Sequence, residues 1–255
     1  MHEQDLETGM AGGKAVPEVI VALDYPDPEM AFALVDRLPE GTWYKVGLEL
    51  FTRAGPPVVH RLVGDGRQVF LDLKLHDIPN TVARAVAVVT AQRVGMLTLH
   101  AAGGAAMLAA ARDAAAEGAA AAGGKRPLLV AVTVLTSLDD AALKEAGTPG
   151  GVGDQVARLV DLACSVGLDG VVASAQEAPA IRRRAGPDFT IVTPGIRGAA
   201  DSADDQSRTA TPGQAIRAGS DLLVMGRPIV RAPDPAVAAA AVVAEIEASL
   251  GPPAA

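Results

Sequence analysis

Short apolar runs rich in β-branched residues recur along the chain: VIVALD from Val19, WYKVG from Trp43, QVFLDLK from Gln68, MLTLH from Met96, LLVAVTVLT from Leu128, GVVAS from Gly170, FTIVTPG from Phe189 and LLVMGR from Leu222. Each is too short for a buried helix and has the composition of a strand. Between them stand amphipathic or alanine-rich stretches built from strong helix formers, among them PEMAFALVDRL, TVARAVAVVTAQR, GGAAMLAAARDAAAEG and QVARLVDLACSVG. Continuous apolar runs belong to strands buried on both faces, and alternation of strand with helix favours a parallel sheet. Eight such units predict an α/β fold, a single (β/α)8 TIM barrel with its active site at the C-terminal ends of the strands. The alternative is an open, doubly wound sheet. Its glycine-rich fingerprint would follow the first strand, where LDYPDPEM stands instead. The alanine-rich stretch Ala105 to Ala122 has the spacing of a packed helix.

A length of 255 residues matches the roughly 250 typical of one such barrel. The expected layout is a tail over residues 1–15, the barrel over 16–250 and a short tail over 251–255. With 49% hydrophobic and 20% charged residues the chain has the composition of a folded soluble protein, and no apolar stretch reaches the ~20 residues of a membrane helix. A net charge of -8 argues against a nucleic-acid partner, so cations for an anionic ligand must be concentrated locally. The lone Cys164 has no partner for an internal disulfide, and the N-terminal segment lacks a signal-type apolar core, which together point to the cytoplasm.

If the site lies at the strand ends, polar residues must interrupt the runs there, and they do. Asp24 ends the first run, Lys45 lies in the second, Asp72 and Lys74 in the third, His100 ends the fourth, and the fifth reaches Thr136. In DLKLHD, strand alternation puts Asp72 and Lys74 on one face and Leu73 and Leu75 on the other, with Asp77 following in the loop. Charges inside a barrel must neutralise one another or serve chemistry. A structural ion pair would account for Asp72 and Lys74 alone. The addition of Lys45 and Asp77 makes an alternating network better suited to an anionic substrate. A Schiff-base lysine must shed its proton, whereas flanking carboxylates favour the ammonium form, so Lys74 reads as a proton donor. The ammonium groups also compete with any divalent cation for the carboxylates, so no metal is expected; His76 and His100 read as structural.

The opposite end of the ligand shows in the last two loops. Gly226 and Arg227 follow the eighth run directly, and Pro228 suits the first turn of a short helix. Barrel phosphate sites lie after strands seven and eight. Arg197, in the long polar loop PGIRGAADSADDQSR, supplies a second cation, and that loop has the composition of a lid.

These motifs resemble the orotidine monophosphate decarboxylases: VALDY at Val21, KVG at Lys45, DLKLHDIPNT from Asp72 to Thr81, VTVLTS ending at Ser137, TPGIR from Thr193 and MGRPI from Met225. The likeness runs in register from about Val19 to about Arg231, and DLKLHDIPNT is its most specific part. The resemblance implies decarboxylation of orotidine 5'-monophosphate to UMP without metal or cofactor. It implies that Lys74 protonates the ring carbon that loses carbon dioxide and that Asp72 sits beside the departing carboxylate. Lys45 and Asp77 would complete the charged array, and Asp24 and Lys45 would reach the ribose hydroxyls. Thr136 would lie near the base, Gln206 and Arg197 would close over the phosphate, and Gly226 and Arg227 would bind it. It also implies a homodimer in which Asp77, Ile78 and Thr81 enter the partner's site. Leu75 stands where many relatives carry an aromatic residue, on the face away from the site. A magnesium-dependent sugar-phosphate barrel fits less well, because Lys45 occupies the region of its metal-binding acid. A silent phosphate-binding barrel would leave the charged array unexplained.

Overall fold

The computed structural model describes residues 18–197 and 209–250. The predicted tails at 1–15 and 251–255, and Gln206, lie outside the described residues. Eight strands form a closed, all-parallel barrel in sequence order: β1 (Glu18–Ala22), β2 (Trp43–Gly47), β3 (Gln68–Leu75), β4 (Met96–His100), β5 (Leu128–Val132), β6 (Gly170–Val172), β7 (Thr190–Thr193) and β8 (Leu222–Met225). Pairing of β1 with β8, Ile20 beside Val224, closes the ring. No helix among the described residues is long and apolar enough to cross a membrane.

Alternation along each strand divides the core in two. One set of side chains, including Ile20, Ala22, Phe70, Met96, Val130, Val192 and Val224, fills the barrel interior. The other set, including Val21, Tyr44, Val46, Leu71, Leu97, Leu99, Leu129, Ile191 and Leu223, packs outward against the helices. This two-sided burial explains why the strands read as unbroken apolar runs. Close approach sets some of the composition: a Cβ on Gly170 would lie 2.2 Å from the Thr190 carbonyl oxygen, so β6 can pair with β7 only with glycine there.

Helix starts are written locally. Asp27 caps the helix Pro28–Val35 by accepting the Glu29 amide at 3.0 Å. Thr211 and Gln214 form a capping box on the helix Pro212–Arg217. The alanine-rich stretch forms the helix Gly104–Ala122, burying Ala111, Ala115 and Ala119 at helical spacing, and its small side chains let it lie close to the helix Pro79–Ala91. The predicted elements are present, with shifted ends. The fifth run was expected to extend as strand to Thr136; β5 stops at Val132. Its neighbour β6 ends at Val172, whose carbonyl takes both the amide and the hydroxyl of Thr133, after which no strand remains to pair with.

Candidate active site

β3 supplies the centre of the site through an irregularity that alternation did not anticipate. Leu71 pairs with Leu97 of β4, yet Leu75 pairs with Leu99, so Asp72, Leu73 and Lys74 all stand opposite Thr98. Such a bulge bends a strand and re-aims its side chains. Lys74 takes a left-handed backbone with φ 51°, a conformation that costs a non-glycine residue about 1–3 kcal/mol. Two contacts offset that cost: the Lys74 amide donates to Thr98 Oγ1 at 2.8 Å, and the Lys74 ammonium donates to Asp72 Oδ2 at 2.8 Å. Asp72 and Lys74 thus meet as expected, by way of a bulge instead of plain alternation. Leu73 and Leu75 pack outward against the helix-facing core.

Lys45 extends the pair. Its Nζ lies 2.9 Å from Asp24 Oδ1 and 3.9 Å from Asp72 Oδ2, giving an unbroken series Asp24, Lys45, Asp72, Lys74. Side-chain exposure is 12% for Lys45, 13% for Asp72, 31% for Lys74 and 58% for Asp24, so the series runs from solvent into the barrel and back. Gly47 makes room for it, since a Cβ there would lie 2.8 Å from Lys45 Nζ. At 2.8 Å and an effective dielectric of ~20, one such pair attracts by ~6 kcal/mol. Desolvating the two ions costs several kcal/mol each, so the network adds little to fold stability. Its effect is to hold two ammonium groups in fixed positions inside a cavity.

That cavity, about 320 Å³, opens at the C-terminal ends of the strands. Asp24, Lys45, Asp72, Lys74, Thr136, Arg197, Gly226 and Arg227 all line it, Thr136 from the turn beyond β5. The charged series comes from β2, β3 and the residues just after β1. Gly226, the N-cap of the short helix Arg227–Val230, stands with Arg227 and Arg197 at the end of β8 and in the loop after β7. A bridge between Ile196 and Ala210, with the Arg197 amide donating to Ala210 O at 3.0 Å, ties the two sides of that loop together at its base. Phe70, Val132, Val172 and Val224 form an apolar floor. Sequence reasoning did not assign these floor residues to the site, because on an all-apolar strand nothing distinguishes the last interior position from those beneath it. Thr98 was also passed over, although a threonine amid MLTLH is a visible polar break.

Asp77, Ile78 and Thr81 do not enter this cavity. The signature turns outward: Ile78 is extended, as residues before proline are, and Pro79 opens the helix Pro79–Ala91. Asp77 and Thr81 line an adjoining surface hollow of about 330 Å³ with Lys74, Leu75 and His76, and Ile78 is 67% exposed. Within one chain, therefore, Asp24 rather than Asp77 is the second carboxylate of the charged series. Among the described residues no group of three or more His, Cys, Asp or Glu side chains is placed to hold a metal ion.

A closed parallel barrel with a charged series at the ends of its first three strands and arginines after its last two defines a barrel enzyme for a small anionic substrate. The comparisons narrow the class. The profile of the Orotidine 5'-phosphate decarboxylase / HUMPS family matches residues 17–242, and the chain belongs to that family. It is 54% identical over 235 residues to a Moorella thermoacetica protein named orotidine 5'-phosphate decarboxylase, covering 91% of this chain and 93% of that protein. It is 50% identical over 229 residues to a Nitrosococcus oceani protein of the same name, covering 89% and 97%. Among solved structures, the orotidine 5'-phosphate decarboxylase of Lactobacillus acidophilus superposes with a TM-score of 0.82 at 38% identity, covering 90% of this chain and 99% of that one.

Behind Lys74, His76 and His100 stack with ring centroids 5.2 Å apart and 25° between planes. His100 Nδ1 is buried and has no hydrogen-bond partner among the described residues. Burial, with smaller contributions from His76 and Lys74, holds the His100 imidazole below its ordinary value of 6.5. Below that pH the unfolded chain binds a proton that folded His100 does not, so stability falls as pH drops through 6.5 and levels off below the folded value. His100→Gln removes this titration. Urea unfolding of both proteins between about pH 8 and pH 5 should therefore show a shallower acid-side loss for the variant, and equal losses would contradict the assignment.

Proposed function

We propose that this chain decarboxylates orotidine 5'-monophosphate to UMP and carbon dioxide, the last step of de novo pyrimidine nucleotide synthesis. The observation that carries the proposal is the series Asp24, Lys45, Asp72, Lys74 lining one cavity together with Gly226, Arg227 and Arg197. Such a cavity offers cations both to an anionic reacting group and to a phosphate of one ligand.

The chemistry follows from the substrate. When the bond from the ring to the carboxylate breaks, the electron pair stays in an in-plane orbital that the ring π-system cannot delocalise. Stabilisation must come from outside the ring, and a fixed ammonium beside the developing charge supplies it. Lys74 fills that role and then donates its proton to the same carbon, completing the new C–H bond; solvent returns the proton to Lys74. Asp72 lies against Lys74 and disfavours the substrate carboxylate while it is still bound. Lys45 and Asp24 take the ribose hydroxyls, Thr136 the base, and Gly226, Arg227 and Arg197 the phosphate. Gln206, assigned with Arg197 to the phosphate, lies outside the described residues. At ~4 Å and a dielectric of ~20 one charge pair contributes about 4 kcal/mol, against the roughly 8–23 kcal/mol of enzymatic rate enhancements. The difference is assigned to preorganisation of the whole series and to binding energy from the phosphate end.

The proposal includes a homodimer in which Asp77, Ile78 and Thr81 serve the neighbouring site. Their outward position beside Lys74 and the exposure of Ile78 support it. A cytoplasmic location fits the lone Cys164.

The direct test is the loss of ultraviolet absorbance of orotidine 5'-monophosphate on adding purified, chelator-treated protein. Turnover that survives chelation is expected. Absence of turnover would overturn the proposal in favour of a silent phosphate-binding barrel, and activity that returns only with magnesium would favour metal-assisted chemistry.

The shared site has its own consequence. Lys74→Ala and Asp77→Ala homodimers should each be nearly inactive. In a mixed dimer of twofold symmetry one site collects both substitutions and the other neither. Random exchange of equal amounts makes about half the dimers mixed, so activity should recover to roughly a quarter of wild type. Mixing Lys74→Ala with Lys45→Ala should restore nothing. Confirmed subunit exchange without recovery of the first pair would show that Asp77 does not serve the partner's site.

A further inference from the structure

Thr98 stands fully buried in β4, and its hydroxyl makes two directed hydrogen bonds. It accepts the Lys74 amide at 2.8 Å and lies 3.0 Å from Asp72 Oδ1. Because the amide can only donate, the hydroxyl's own hydrogen is left for the carboxylate. Asp72 Oδ2 in turn accepts from Lys74 Nζ at 2.8 Å. The contacts therefore form a closed ring that starts at the Lys74 amide, passes through Thr98 and Asp72, and returns to the Lys74 ammonium.

We propose that Thr98 is a positioning residue of the reaction: through this ring it holds the left-handed backbone of Lys74 and the orientation of the Asp72 carboxylate, and so sets where the ammonium stands. The assignment rests on Lys74 and Asp72 carrying the chemistry, as proposed above. Three features support it. The ladder between β3 and β4 skips from Leu71–Leu97 to Leu75–Leu99, and the Lys74 amide is taken by a side chain where a regular strand would offer a carbonyl. Lys74 is one of only two non-glycine residues with positive φ among the described residues, so its backbone needs a local restraint. Asp72 is drawn toward two ammonium groups on its Oδ2 side, and the bond to Thr98 fixes Oδ1, leaving the carboxylate one orientation. Thr98 itself does not line the cavity, so it acts on substrate only through its two partners.

The test compares Thr98→Val, which keeps the shape and removes both hydrogen bonds, with Thr98→Ala, which also removes bulk, and Thr98→Ser, which keeps the hydroxyl. Turnover of orotidine 5'-monophosphate is followed by absorbance, affinity by competitive inhibition with UMP, and folding by thermal unfolding. A misplacement of the order of 1 Å at a reacting group costs about 10²-fold in rate. The expected result is therefore a fall in kcat of about 10²-fold for Val and Ala, UMP inhibition changed by less than about 3-fold, and Ser within about 5-fold of wild type. Wild-type kcat in folded Val and Ala variants overturns the proposal, as does a Ser variant as slow as Val. Failure of both Val and Ala to fold makes Thr98 a folding residue and overturns it too. Lys74→Ala, run alongside, separates the two levels: if it is inactive while Thr98→Val is normal, only the role of Thr98 falls; if it turns over normally, the assignment of the chemistry falls with it.

Discussion

One buried carboxylate shared between two ammonium groups organises the mouth of this barrel. Asp72 lies 2.8 Å from Lys74 Nζ and 3.9 Å from Lys45 Nζ, and loss of its charge would leave two cations facing each other in a partly dehydrated cavity. Much of the surrounding composition follows from that constraint. Gly47 is bare where a side chain would meet the Lys45 ammonium. Asp24 takes the second side of Lys45, and Thr98 bonds the free oxygen of Asp72. β3 gives up regular pairing with β4 so that Asp72 and Lys74 can meet. A barrel whose only task was stability would replace such a network with apolar side chains at little or no loss.

The rest of the fold makes this arrangement rigid. Interior side chains such as Phe70, Met96 and Val130 fill the barrel beneath the cavity, and the outward set locks the strands to the helices. A charged series resting on a packed floor is preorganised, which is where electrostatic catalysis gains over water. The residues proposed to take the phosphate stand differently, in the loops after β7 and β8, and the Ile196–Ala210 bridge joins the two sides of the first of these loops. That difference, a charged series on the strands and further cations on loops, suits the proposed reaction, in which binding energy from one part of the ligand is used at another.

The barrel was legible in the sequence because two-sided burial writes each strand as an unbroken apolar run and because polar residues gather where those runs end. Asp24, Lys45, Asp72, Lys74, Thr136, Arg197, Gly226 and Arg227 were read from that gathering and from a family likeness, and all line one cavity. What was not legible depends on partners rather than on local pattern. The bulge at Lys74 arises from register against β4, and the early end of β5 from the early end of β6. The outward course of Asp77 and Ile78 is a three-dimensional consequence of Pro79 opening a helix. Thr98 was visible as a polar break, yet a threonine in a strand has several uses, and only its two contacts single out one.

The central claim is that the Lys74 ammonium, held by Asp72, stabilises and then protonates the ring carbon. Its most direct test is the single-turnover rate of Lys74→Ala on orotidine 5'-monophosphate, measured with circular dichroism and UMP binding on the same preparation. Removal of one charge pair worth about 4 kcal/mol alone predicts a loss of roughly 10³-fold, and loss of the proton donor adds to it. The account predicts at least that loss in a protein that keeps its barrel and its affinity for UMP, whereas a folded variant turning over at the wild-type rate would contradict it.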